Sequence, residues 1–148
     1  MPTVLIRKIS AYLAADILLG VFPTAQEAEQ RRDAYFAMRA QTPASDPWCE
    51  QPYKPEGLKM SDLVVSDIQG SRVSSGTVVF VISSYSEGFG QTVRRFISVH
   101  QDKAVATRQA GRLQEADSDS YPNYYRVQEA TVGQLLPDDP DLQPDWCE

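Results

Sequence analysis

The first half of this chain repeats in its second half, and this duplication limits the possible fold more than any other feature. Residues 3–12 read TVLIRKISAY, and residues 77–85 read TVVFVISSY once a single residue is gapped. Both stretches are rich in β-branched residues, as strands are, and both end in Ile-Ser-x-Tyr. We therefore expect two copies of one small unit.

Each copy is predicted to begin with a β-hairpin. The second strand covers residues 16–22 in the first copy and residues 91–99 in the second. In the second copy the two glycines of residues 87–90 suit the positive φ angles of a hairpin loop.

A helix follows each predicted hairpin. Thr24 and Glu27 have the spacing of a capping box, which predicts a helix from about residue 25 to 41. In the second copy the helix is predicted to start after Ser98, and Gly111 weakens it by about 1 kcal/mol relative to alanine. The apolar stripe of this second helix is thinner and consists of Ala106, Ala110 and Leu113.

Each copy closes with a third strand, predicted at residues 63–68 and 124–130. The segment 70–76, rich in Ser and Gly, is predicted to link the copies. The chain then forms one compact domain with three parts: a first ββαβ unit at 1–69, a second ββαβ unit at 77–132, and an acidic, Pro-rich tail at 133–148.

These elements predict an α+β fold. One helix per unit can cover the apolar face of a hairpin and a third strand, so we expect a mostly antiparallel six-stranded sheet with two helices on one face. Two alternatives remain open. The units can instead stack face to face, or the same elements can be traced in a ferredoxin-like strand order.

Residues 21–28, VFPTAQEA, resemble the step from hairpin to helix in the small ββαβ domains of uncharacterised bacterial and phage proteins. The second copy departs from this pattern at residues 97–100. The resemblance implies a fold rather than an activity.

Acidic charge is concentrated at the C-terminal end. The net charge is −6, of which the tail carries −5 because it holds no Lys or Arg. Nucleic-acid binding needs clustered basic residues, so this distribution disfavours nucleic acid and favours a basic protein partner.

No apolar run approaches the roughly 20 residues of a membrane-spanning helix. Arg7 and Lys8 interrupt the only early apolar run, which does not fit a signal peptide. We therefore expect a cytoplasmic protein with no membrane partner.

The sequence holds no recognisable catalytic motif. His100 is the single histidine, which excludes a site of several histidines, and its predicted strand-to-helix junction favours a capping or surface role. Arg94 and Arg95 should point to opposite faces of their strand, one of them as an edge charge. Carboxylates are scattered without a spacing that singles out a pair: Glu56, Asp62, Asp67, Glu87 and Glu129. We expect no cofactor and no metal.

Both tryptophans and both cysteines lie in two near-identical pieces, DPWCE at 46–50 and PDWCE at 144–148. A disulfide between Cys49 and Cys147 would stabilise the fold by up to about 5 kcal/mol, but a cytoplasmic setting disfavours it. A metal site lacks ligands. In the third interpretation the two tryptophans are large apolar surfaces that pack on the domain or anchor a partner.

The sequence thus predicts a non-enzymatic inhibitor, such as an immunity protein or a phage anti-defence protein, that blocks a basic partner. The alternatives are a carboxylate-dependent enzyme and a self-associating structural protein. The predicted partner-binding residues are Trp48, Glu50, Asp138, Asp139, Asp141, Asp145, Trp146 and Glu148.

Overall fold

The computed structural model of this 148-residue chain describes residues 1–8, 16–40, 59–88, 91–117 and 123–136. These ranges contain seven strands and two α-helices. In chain order the elements are β1 (Thr3–Arg7), β2 (Ile17–Phe22), α1 (Ala25–Ala40), β3 (Leu63–Asp67), β4 (Gln69–Gly70), β5 (Val78–Gly88), β6 (Gln91–His100), α2 (Lys103–Ala116) and β7 (Tyr124–Thr131), with a 3-10 turn at Met60–Asp62.

The fold is α+β with mostly antiparallel strands, as predicted, and the order β-β-α-β occurs on both sides of β4. The strands do not form one six-stranded sheet, however. They form a three-stranded sheet of order β2-β1-β3 (sheet 1) and a four-stranded sheet of order β4-β6-β5-β7 (sheet 2). Two separate sheets also differ from the ferredoxin-like alternative. In both sheets the first strand of the hairpin is central, so β2-β1-β3 corresponds to β6-β5-β7.

The two sheets pack face to face and share a core. The reason lies in β1 and β5, which carry apolar residues on both faces, so a single layer of helices would leave one apolar face in water. Stacking buries that second face, and all five residues of β1 are buried. The shared core includes Val4, Ile6, Leu18 and Val21 from sheet 1 and Val79, Val81, Val99 and Ala130 from sheet 2.

Each helix covers the outer face of its own sheet. Ala28 and Tyr35 of α1 pack with Leu5 and Phe22 of sheet 1. On the other side, α2 packs against sheet 2 in a cluster that includes Ile82, Ala106 and Ala110. The helices therefore lie on opposite outer faces rather than on one face, and the order of layers is α1, sheet 1, sheet 2, α2.

The predicted helix starts are borne out in one case and corrected in the other. The Thr24 hydroxyl accepts a hydrogen bond from the Glu27 N–H at 3.2 Å, as expected of a capping residue. The helix α2 does not begin after Ser98, because β6 continues to His100. Asp102 is its N-cap, and the Asp102 carboxylate accepts from the Ala104 N–H at 2.8 Å.

Two short segments carry the chain from one sheet to the other. After β3, the strand β4 crosses to sheet 2 and pairs in parallel with Ser98 and Val99 of β6. After β7, residues 133–136, which we name the C-terminal strap, cross back to sheet 1. In the strap the N–H of Gly133 donates to the Val21 carbonyl at 2.8 Å and the N–H of Leu136 donates to the Leu19 carbonyl at 2.7 Å. Part of the predicted linker 70–76 is thus strand.

The crossing at β4 depends on a glycine. Gly70 has φ +155°, and a Cβ on it would lie 2.7 Å from the Val99 carbonyl oxygen. A side chain would therefore push β4 away from β6.

Candidate functional site

All eight predicted partner-binding residues lie outside the described residues. The structure does show where their two segments, 41–58 and 137–148, join the fold. Cys49 and Cys147 belong to the same segments, so the disulfide and metal interpretations stay predictions. The eight residues are Trp48, Glu50, Asp138, Asp139, Asp141, Asp145, Trp146 and Glu148.

The segment 41–58 joins one end of sheet 1. It rejoins the described chain at Lys59, directly before the 3-10 turn that leads into β3. The Lys8 N–H donates to the Asp62 carbonyl at 2.7 Å, which holds this turn against the end of β1. We name this end of sheet 1, where Arg7, Ile17 and Leu63 lie side by side, the attachment end.

The C-terminal half of α1 lies over the same end. Arg7 is 8% exposed, and its Nη1 donates to the Tyr35 hydroxyl at 3.3 Å. Tyr35 packs in the same cluster as Ile17 and Leu63. Because α1 ends at Ala40, five residues after Tyr35, the segment 41–58 both leaves and returns near the attachment end.

The tail leaves the fold in the direction of the attachment end as well. The strap runs antiparallel to β2, from Val21 at Gly133 to Leu19 at Leu136, and so approaches Ile17. Leu135 packs against the cluster that contains Ile17. The strap ends at Leu136, beside Leu19 and two residues from the attachment end, and segment 137–148 follows it in the chain.

The acidic charge of the chain is concentrated in these two segments. The described residues include thirteen Lys and Arg and eleven Asp and Glu, a net charge of +2. The segments 41–58 and 137–148 together hold eight carboxylates and one lysine, Lys54. The folded layers carry no acidic surplus of their own.

Arg94 and Arg95 point to opposite faces of β6, as predicted. Arg94 is 5% exposed and lies between the sheets, where its Nη2 donates to Gln128 Oε1 at 2.8 Å and to Ser83 Oγ at 3.1 Å. Its Nη1 donates to the Asp16 carbonyl at 3.2 Å. Arg94 thus joins sheet 2 to the start of β2 at the attachment end, while Arg95 is exposed.

Aromatic rings pack beside the Arg94 guanidinium. Its carbon lies 4.5 Å from the ring centre of Phe96 and 5.1 Å from that of Tyr85. Tyr85 in turn stacks on Tyr124 with 5.3 Å between ring centres. Such contacts favour a cation over apolar surface, so they stabilise the buried guanidinium.

His100 ends β6 two residues before the N-cap of α2, the strand-to-helix junction that was predicted. Its Nε2 lies 2.9 Å from Ser98 Oγ. His100 also lines a groove of about 650 Å³ between β4, β6 and the first turn of α2. The groove is also lined by the polar residues Gln69, Ser71, Gln101 and Asp102 and by the apolar residues Val73, Val99 and Val105.

Sequence reasoning missed this groove. Its walls depend on the two residues of β4, which are too few for a periodic pattern, and on the crossing of the chain between sheets. Gly70, which that crossing requires, was the available signal, because a glycine in a strand often marks close backbone approach.

Within the described ranges, no three residues among His, Cys, Asp and Glu lie close enough together to hold a metal ion. None of the helices there has the length and apolar character needed to cross a membrane. Comparison with protein-family models, with curated proteins and with solved structures finds no match for this chain.

Proposed function

We propose that this protein is a non-enzymatic inhibitor that binds a basic protein partner through its two acidic, Trp-bearing segments. The observation that carries the proposal is that segment 41–58 joins the fold at the attachment end of sheet 1, and that the strap, which precedes segment 137–148, ends beside Leu19, two residues from Ile17 at that end. The two segments are far apart in the chain, yet a single partner can contact both. Two copies of one recognition piece, on segments that join the fold near each other, favour a shared binding face.

The residue types of the two segments suit such a face. Tryptophan is a frequent anchor of protein interfaces because its large ring fills an apolar pocket. The surrounding carboxylates attract a partner with Lys or Arg around that pocket and speed association at low salt. Because the described residues carry a net charge of +2, attraction toward a basic partner depends on these segments.

The fold supports the placement of the tail. Arg31 on α1 donates through Nη2 to the Gly133 carbonyl at 3.2 Å, so the strap contacts α1 as well as β2. These contacts fix where the tail starts and reduce the entropy that it loses on binding. A cytoplasmic immunity protein or phage anti-defence protein is the kind of inhibitor that we propose.

The test is capture of the partner from the source cells by the full-length chain, followed by affinity measurements over a range of salt. Replacing Trp48 or Trp146 by alanine should weaken binding by at least about tenfold, the usual effect of losing an anchor residue. The captured protein should be basic, and its activity should fall when it is bound.

Charge is tested separately with matched variants. Asp138, Asp139 and Asp141 are changed to asparagine, and a control variant changes three exposed carboxylates of the described surface to their amides. Only the tail variant should lose affinity and salt dependence. Equal losses in both variants, or unchanged binding by both, would contradict the proposal. The control residues are Glu29, Glu115 and Glu129.

A further inference from the structure

One stripe of α2 carries exposed basic and apolar residues. Val105, Arg108 and Arg112 follow i, i+3, i+7 spacing, so they share one face of the helix. All three are exposed, and Val105 is 39% exposed. Val105 also lines the groove with Val99 and His100, so this face of α2 looks toward β6.

The neighbouring residues of β6 continue this surface. Arg95 is paired with Ser84 and Val93 with Ser86. Paired residues share a face, and in β5 these serines lie on the same face as Ile82, which packs against α2. Arg95 and Val93 therefore lie on the α2 side of sheet 2. Both are exposed, Val93 by 48%.

The helix runs back over sheet 2 from the end of β6 toward the start of β7, so its later turns lie level with Arg95 along the strands. Its start lies beside His100, and near its end Gln114 bonds to the Asn123 carbonyl and the Tyr125 N–H, at the start of β7. The Gln114 side of the helix therefore faces β7. Arg112, two residues earlier, lies on the opposite side of the helix, toward β6. Arg112 lies about two turns after Val105, so the stripe extends about 10 Å along the helix in the direction of Arg95.

The backbone edge of β6 is open beside these side chains. β4 pairs only with Ser98 and Val99, and no other described strand pairs with this edge along residues 91–97. Arg95, Arg108 and Arg112 form no ion pair with any described residue. We name residues 91–97 with Val105, Arg108 and Arg112 the β6–α2 surface.

We propose that the β6–α2 surface is a docking edge for an extended acidic segment of another protein, which adds to sheet 2 as a strand beside residues 91–97. The open edge offers backbone hydrogen bonds. The three guanidinium groups complement carboxylates on the face of the added strand that lies on the α2 side. Val93 and Val105 lie on that same side, so they contact apolar residues placed among those carboxylates, and the groove beside His100 has room for one side chain of the segment.

These features favour a peptide over a nucleic acid. A sugar-phosphate chain would meet the three arginines, but it would use neither the row of backbone groups nor the exposed valines. The surface includes the β6 edge of sheet 2, whereas the strap follows β7 and adjoins β2. It shares no residue with the two acidic segments, and the proposal goes beyond the inhibitor function.

The test uses the full-length chain and a short synthetic peptide with the repeat Glu-Thr-Val-Thr, which places glutamate and valine in turn on one face of a strand. A peptide with lysine in place of glutamate is its counterpart. Arg108→Ala/Arg112→Ala is compared with Lys8→Ala/Arg126→Ala, which removes the same charge at exposed positions elsewhere. Alanine favours helix at both α2 positions, so the first variant keeps its fold.

The acidic peptide should bind, and the α2 variant should weaken it by about tenfold while the control changes it less than about twofold. Bound peptide should also slow hydrogen exchange of amides within residues 91–97. Equal affinity of the two variants, binding without slowed exchange there, or no binding would overturn the proposal. Tighter binding of a single-stranded oligonucleotide than of the acidic peptide would overturn it as well.

Discussion

The corresponding strands β2 and β6 lie at the edges of the two sheets, but their edges are covered to different extents. The strap pairs with β2, and all six residues of β2 are buried. By contrast, β4 reaches only two residues of β6. The covered edge has the sequence ILLGVF, and the open edge has the sequence QTVRRFI. The strap thus covers the apolar edge strand, which would otherwise associate with other chains. Similar units therefore acquire different surfaces through their connecting segments.

The largest effect is expected where β6 is tied to the other sheet. Arg94→Ala should lower the free energy of unfolding by about 4 kcal/mol, because buried partners such as Ser83 lose their donor. The adjacent and exposed Arg95→Ala should change it by about 0.5 kcal/mol or less. Urea denaturation measures both. Similar losses would show that Arg94 does not join the sheets.

Removing the strap should make the two edges alike. A chain ending at Val132 should lose about 3 kcal/mol, since two backbone hydrogen bonds and the contacts of Leu135 and Leu136 disappear. It should also self-associate through the bared β2 edge, which sedimentation detects. A chain ending at Leu136 is the control, and it should match the full-length chain in stability and in sedimentation.

A smaller effect is expected at the β4 crossing. Gly70→Ala should cost about 2 kcal/mol, because the new Cβ meets the Val99 carbonyl and the φ angle is unfavourable for alanine. Gly76 has φ +86°, and a Cβ placed on it would have no other atom within 4 Å, so Gly76→Ala reports the backbone effect alone. Thermal unfolding should rank Gly70→Ala below Gly76→Ala; the reverse order would mean that β4 does not need close approach.

The smallest effect concerns the helices. Gly111 lies in an exposed part of α2 where an added Cβ meets no atom within 4 Å. Gly111→Ala should therefore raise the free energy of unfolding by about 1 kcal/mol. The same urea titration measures it, and a loss of stability would show that Gly111 has a packing role.

Local patterns in the sequence predicted the elements well. The Thr24 capping residue, the hairpins and the closing strands all depend on neighbours in the chain. The start of α2 was misplaced at Ser98 because serine and aspartate are both good N-caps, and the strand pattern through His100 decided between them.

The arrangement of the sheets was harder to predict. Edge pairing and face-to-face stacking bury similar residues, and the choice depends on distant segments that share a core, as β1 and β5 do through Val4 and Val79. Both faces of β1 carry apolar residues, and this was the signal for a strand buried on both sides. The two crossings were missed because each involves only a few residues.

The candidate sites divide in the same way. Composition alone singled out the Trp-bearing segments, but their attachment near each other follows from the strap, which has no sequence signature. The β6–α2 surface was not predicted, because Arg95 and Arg112 are seventeen residues apart in the chain. They share one side of sheet 2 only because α2 packs over that sheet.

The two crossings also bear on how the protein unfolds. At each crossing a segment of the chain forms backbone hydrogen bonds with an edge strand of the other half's sheet, so neither half can separate without breaking them. The two halves are thus interlocked by backbone pairing at both crossings. We therefore expect one cooperative transition, in which no species with a single folded half accumulates, although the sequence reads as two modules.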